Sequence, residues 1–188
     1  MKSIELMVTE HEYIKRMLAV LRKYSYKVVK GEDVDINDFY LMIDFVRNFA
    51  DKHHHGKEEE ILFKQMMAHQ GPVADKLIRH GMLVEHDLGR LHMMDLEAAL
   101  KELENGNDEA KIDIIANAVG YAALLARHID KEDNVVYPYA ENGLPEEVLR
   151  EIDEDCDQFE KNTQKEQIRE KYIAILEELE AKIGLLKE

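Results

Sequence analysis

The chain is poor in cysteine, proline and tryptophan and short of basic residues, and each scarcity excludes something. A single cysteine, Cys156, rules out an internal disulfide framework and any cysteine-rich zinc or iron–sulfur site. Three prolines and nine glycines in 188 residues leave few breaks, so long helices are expected. Against 40 acidic residues stand only 25 lysines and arginines, a formal charge of −15. No basic stripe is available to displace the counterions of a nucleic acid, so no nucleic-acid partner is expected, whereas cations would be attracted. No uninterrupted apolar run reaches the ~18 residues of a membrane span. Met1-Lys2-Ser3-Ile4-Glu5 opens no secretory hydrophobic segment, so the expectation is a cytoplasmic protein without a membrane partner.

What is present is a helical pattern. Hydrophobic residues make up 45% and charged residues 35%, the profile of a globular helical chain. Ile4, Met7, Val8, Ile14, Met17, Leu18 and Leu21 recur at three- and four-residue steps, predicting a first helix from about 3 to 30 that Gly31 ends. Asp35-Ile36-Asn37-Asp38 can cap a second helix, which runs to about Ala68 before Gly71-Pro72. A third is expected over about 73–104 and a fourth from about Asp108 towards Pro138, with Asn142-Gly143 as the next turn. Four long helices joined by short turns predict an all-α, up-down-up-down antiparallel four-helix bundle over residues 1–142.

The segment 143–188 differs in kind. Pro145 suits a helix start, Thr163-x-x-Glu166 resembles a capping box, and Ile168, Tyr172, Ile175, Leu179, Ile183 and Leu186 form a heptad-like stripe. One or two further helices are expected there, covering a bundle face or joining two copies as a homodimer; core packing is the expected use.

The chemistry concentrates in His53-His54-His55-Gly56-Lys57-Glu58-Glu59-Glu60. Residues four apart share a helix face, so His54/Glu58 or His55/Glu59 would aim a neutral nitrogen and an anionic oxygen at one point. His128 and Glu132 repeat the spacing, and His11 and His86 stand singly on the other two predicted helices. In an antiparallel bundle all four places fall in the same half, within about one turn at ~1.5 Å per residue. Four imidazoles and two carboxylates can hold two first-row metal ions and leave open positions; without thiolate, that donor set suits iron or manganese. His53, with Lys57 four residues on, is expected to be solvated, and His69, His80 and His92 to be surface or structural. Gly89, one turn after His86, would leave room for a small ligand or for close packing, and Tyr121 would lie near the metals or in the core.

In order, His11, His54-His55-Gly56-Lys57-Glu58-Glu59-Glu60-Ile61-Leu62-Phe63, Glu85-His86-Asp87-Leu88-Gly89-Arg90 and His128-Ile129-Asp130-Lys131-Glu132-Asp133-Asn134-Val135-Val136-Tyr137-Pro138 resemble the hemerythrin-like (HHE cation-binding) family over about residues 8–140. The resemblance implies a four-helix bundle with a non-haem pair of iron ions, with or without an oxo or hydroxo bridge. It places the metal ligands at His11, His54, Glu58, His86, His128 and Glu132, with the glutamates bridging, and Leu62-Phe63 select the 54/58 register. The set is closest to the four-His, two-Glu di-iron members. Oxygen carriers of the family have a second histidine four residues from that on the third helix; here those positions are Met82 and Arg90. The implied function is binding of, or reaction with, a small molecule (O2, NO or peroxide). Sensing of O2 or NO, and iron storage or delivery for iron–sulfur cluster repair, are the alternatives.

Overall fold

The computed structural model of the protein describes residues 1–32, 35–164 and 167–185. These form six helices and, among the described residues, no strand: α1 (Lys2–Val29), α2 (36–69), α3 (71–104), α4 (Asp108–Gly143), α5 (Glu146–Gln164) and α6 (Ile168–Lys182). α1 buries Ile4, Met7, Ile14, Met17, Leu18 and Leu21, the stripe its periodicity predicts, and Glu10 and His11 are buried on the same stripe. α2 starts where Asp35 accepts a hydrogen bond from the Asn37 N–H at 2.9 Å. Only Gln70 separates α2 from α3. Gly71 supplies the left-handed φ of +71° needed for so tight a turn, and Pro72 sits in the first turn of α3.

Three of these helices are not uniformly α. Wide i→i+5 turns occupy Val46–His55 and Glu58–Leu62 in α2, Ile78–Met82 in α3 and Glu132–Val136 in α4. The last of them explains why Pro138 does not terminate α4. The Tyr137 N–H reaches back five residues to the Glu132 carbonyl, and the widened turn accommodates the proline ring, so the helix continues to Gly143.

Paired side chains on adjacent helices run in opposite senses along the sequence. Tyr24 meets Asp38 and Glu10 meets His53 between α1 and α2; Tyr40 meets Glu104 and Glu59 meets His86 between α2 and α3. His92 meets Asn117 and Glu85 meets His128 between α3 and α4, while Met1 meets Glu141 and His11 meets Asp133 between α1 and α4. The apolar interior is divided in two. Ile14, Phe39, Phe49, Leu96 and Leu125 belong to one cluster, and Met7, Leu62, Phe63, Met82 and Val136 to the other. Between them lies a buried polar layer.

α5 and α6 spend their apolar faces on this same chain. Leu144, Val148, Ile152 and Cys156 join the second cluster, and Tyr172, Leu176, Leu179 and Ile183 the first. Arg16 pins α6 with two bonds to Glu180, of 3.0 and 2.6 Å. The expected capping box does not start α6. Thr163 lies in the last turn of α5, where its hydroxyl donates to the Phe159 and Glu160 carbonyls, and α6 begins at Ile168; Glu166 and Leu186 lie outside the described residues. α4 is long and apolar enough, by composition, to cross a membrane, with a mean hydropathy of 1.2 over its most apolar window. Here Ile114, Ala118, Leu125 and Ile129 of that helix face the bundle core.

Candidate metal centre

The polar layer consists of His11 from α1, His54, His55 and Glu58 from α2, His86 from α3, and His128 and Glu132 from α4, all buried. The six ligand positions expected from the sequence therefore meet, and His55 joins them. His54 and His55 are not alternative registers. A turn closed by i→i+5 bonds carries more residues than an α turn, so neighbouring side chains diverge by a smaller angle and both imidazoles reach the interior. Two groups form, each with donor atoms within 4.8 Å of one another: His11, His54, Glu58 and Glu132, and His55, Glu58, His86 and His128.

Four of the five imidazoles are oriented by a common device. The Nδ1–H of His11 donates to Asp133 at 2.7 Å, that of His54 to Glu10 at 2.8 Å, that of His86 to Glu59 at 2.7 Å and that of His128 to Glu85 at 2.9 Å. Each carboxylate is the chain neighbour of a site residue on the adjoining helix: Glu10 precedes His11, Glu59 follows Glu58, Glu85 precedes His86 and Asp133 follows Glu132. The bonds thus close a ring around the bundle. Each carboxylate also meets a cation, Lys57 for Glu10, Arg90 for Glu59, Lys131 for Glu85 and Lys15 for Asp133. His55 is the exception, its Nδ1 lacking a hydrogen-bond partner with Asp51 3.4 Å away.

With Nδ1 carrying the proton, each Nε2 presents a lone pair to the interior. Yet His11 Nε2 stands 2.9 Å from His54 Nε2, and His86 Nε2 3.0 Å from His128 Nε2. Lone pairs converge so closely only around a proton or a metal ion. Two nitrogens bound at about 2.1 Å to one ion, at a right angle, would also be about 3 Å apart. The carboxylates lead to the same conclusion. Glu58 Oε2 and both Glu132 oxygens are buried without a hydrogen-bond donor among the described residues, an arrangement costly in a folded interior unless a cation is held there. The donor set fits a metal.

Protonation without a metal follows from the same crowding. Burial, reinforced by Glu132, pushes Glu58 far above the usual carboxylate range, and the Tyr137 hydroxyl, donating to its other oxygen at 2.7 Å, only partly opposes this. For Glu132, burial is outweighed by His128, His11 and His86, which hold it low. Burial would lower His11, but Asp133 and Glu132 raise it to about 9, and burial with the His11 charge lowers His54 to about 4. In the metal-free protein, protons therefore occupy positions a metal would take.

His53 corrects the expectation of a solvated side chain. It is buried against Glu10 at 3.1 Å because α5 covers it, bringing Glu160 and Phe159. Lys57, likewise fully buried, bonds both Glu10 and Glu160. Glu10, His53 and Glu160 could group around a cation, and the Lys57 ammonium supplies that charge. Gly56 lets this packing happen, since a Cβ there would sit 3.3 Å from the Phe159 ring. His69 and His80 are exposed, and His92 is half-buried against Asn117. Sequence reasoning missed Tyr137, whose ring stacks on His11. The signal would have been the i,i+5 spacing from Glu132, which is the span of the wide turn's hydrogen bond.

A buried layer of imidazoles and carboxylates drawn from four helices defines a cation-binding helical protein. Residues 2–140 match the hemerythrin HHE cation binding domain, and the chain belongs to that family. No curated protein and no solved structure matches the chain. The match stops short of α5.

Proposed function

We propose that the protein is a non-haem di-iron protein that binds or reacts with a small oxidant (O2, NO or peroxide), built on an up-down-up-down four-helix bundle (1–142) with a helical extension (143–188). One observation carries this reading. Glu132 stands 3.3 Å from His11 and 2.9 Å from His128, and Glu58 stands 3.8 Å from His54 and 3.6 Å from His86, so each carboxylate lies between a histidine of one group and a histidine of the other. That placement supports the reading in which both carboxylates would serve the two ions together. His11 and His54 would serve one ion and His55, His86 and His128 the other; the opposite-sense helix pairing supports the topology. Bound iron would supply redox chemistry and open coordination positions.

The chain's own residues have definable tasks in such a site. Glu10, Glu59, Glu85 and Asp133 fix the imidazole tautomers and orientations before any ion arrives. Tyr137 keeps one Glu58 oxygen occupied and leaves the other for the centre. The two apolar clusters cover the layer at its two ends along the bundle. The test is anaerobic loading with ferrous iron, metal quantification, and optical spectra on adding O2, NO and hydrogen peroxide. Repeated peroxide consumption would identify catalysis, and reversible spectral change would identify binding.

A sensing role is the second reading, favoured by one contact. Glu160 on α5 shares Lys57 with Glu10, which orients His54, so the extension and the centre are joined through three side chains. Displacement of α5 by an oxidant that alters the His54 environment would support it.

A further inference from the structure

The two groups of the centre differ in their access to solvent. The His11/His54 group is capped by the Tyr137 ring and its hydroxyl. Beside the other group, a cavity of about 290 Å³ opens between α2, α3 and α4 and is walled by His55 and His86. Its inner walls are Val46, Gly89, Met93 and Tyr121. Two details make it more than a packing defect. The Tyr121 hydroxyl is buried yet has no hydrogen-bond partner among the described residues, an orphaned donor in an interior where such groups are rare. Gly89, one turn beyond His86, keeps the space open, since a Cβ there would already touch Tyr121 and Leu125 at 3.4 Å.

The rim indicates the charge of what can enter. Arg47 is neutralised by Glu97 at 2.6 Å, and Arg90 by Asp51 and Glu59 at 2.7 Å. Lys52, the third cation of the rim, is exposed and bonds the Asn48 side-chain oxygen at 3.2 Å. Its charge is screened by solvent, and with both arginines paired and the whole chain at −15 an anion gains little here. Resting on the di-iron reading above, we infer that this cavity admits a small neutral ligand of two to four atoms to the His55/His86 side of the centre. There the Tyr121 hydroxyl donates a hydrogen bond to it.

The test has a metal-free arm and a loaded arm. Crystals of the metal-free protein under xenon should hold a xenon atom among Gly89, Met93 and Tyr121, and Gly89→Leu should exclude it. In the iron-loaded protein, with equal iron content verified in each variant, nitric oxide association followed by stopped flow should slow at least tenfold in Gly89→Leu. Met94→Trp alters only an exposed residue at the mouth, keeps the test usable if Gly89→Leu misfolds, and should slow association likewise. Tyr121→Phe should leave association unchanged and speed dissociation about fivefold, the loss of one hydrogen bond. Unchanged association in both blocking variants, or association of azide faster than nitric oxide and equally slowed by them, would overturn the access route. Unchanged dissociation in Tyr121→Phe would overturn the donor. Failure of the wild-type protein to hold iron would refute the di-iron reading instead, and the xenon arm would still decide the cavity.

Discussion

Lys57→Met removes the cation from the most buried of the four carboxylate clamps. Lys57 is fully buried on α2, and its ammonium bonds Glu10 of α1 and Glu160 of α5, so three helices meet at one charge. Methionine, one heavy atom shorter, fills most of the space and leaves the Glu10 carboxylate buried with only His53 and His54 beside it. Removing one partner of a buried ion pair costs about 3–5 kcal/mol. For a chain of this size each kcal/mol lowers the midpoint by about 2–4 °C, so the metal-free variant should melt roughly 6–20 °C below the parent. Lys64→Met is the control, because Lys64 is an exposed residue of the same helix paired with Glu60, and should cost at most about 0.5 kcal/mol. Adding Glu10→Gln to Lys57→Met should recover about 1 kcal/mol or more as coupling between contacting groups. The assay is urea and thermal unfolding of the metal-free proteins. A Lys57→Met cost within 1 kcal/mol of the Lys64→Met cost would refute the clamp.

Glu59→Gln or Glu85→Gln weakens the orientation of His86 or His128 without touching a direct donor, and should lower metal affinity about 10–100-fold in chelator competition; equal affinity would show that the carboxylate ring is decorative. The His11 shift sets a pH dependence with a definite sign. A basic group raised from 6.5 to about 9 holds its proton more tightly when folded, so its contribution is complete below pH 6.5 and is lost as pH rises through 9. Metal-free stability measured in urea between pH 6 and 9.5 should therefore fall. Metal-loaded stability should rise over the same range, as protons cease to compete for the imidazole; parallel curves would contradict both statements. Gly56→Leu should push Phe159 and α5 away from α2, costing about 1–3 kcal/mol and exposing α5 to limited proteolysis, and an α5 that stays protected would argue against the packing described.

Periodicity and turn residues placed the long helices within a few residues, because a stripe such as Ile4, Met7, Ile14 and Leu18 is written directly in the spacing. Six site positions were legible for the same reason. His55 was not, because an ideal α-helix turns neighbours about 100° apart and the wide turns that bring His54 and His55 together carry no propensity signal of their own. The carboxylate ring was hidden in plain view. Acidic residues adjoin the site residue in Glu10-His11, Glu58-Glu59, Glu85-His86 and Glu132-Asp133, but each serves a histidine on a neighbouring helix, a relation that only tertiary packing creates. His53 was misjudged because its burial comes from α5, more than a hundred residues away in sequence.

In the proposed centre Glu58 and Glu132 hold two ions between them. Anaerobic titration with ferrous ion, desalting, and quantification of what remains tests it most directly. About two tightly held ions per chain are expected, no more than one in Glu58→Ala or His128→Ala, and two in His80→Ala, whose side chain is exposed. A wild-type chain that retains one ion or fewer, or a Glu58→Ala chain that retains two, would contradict it.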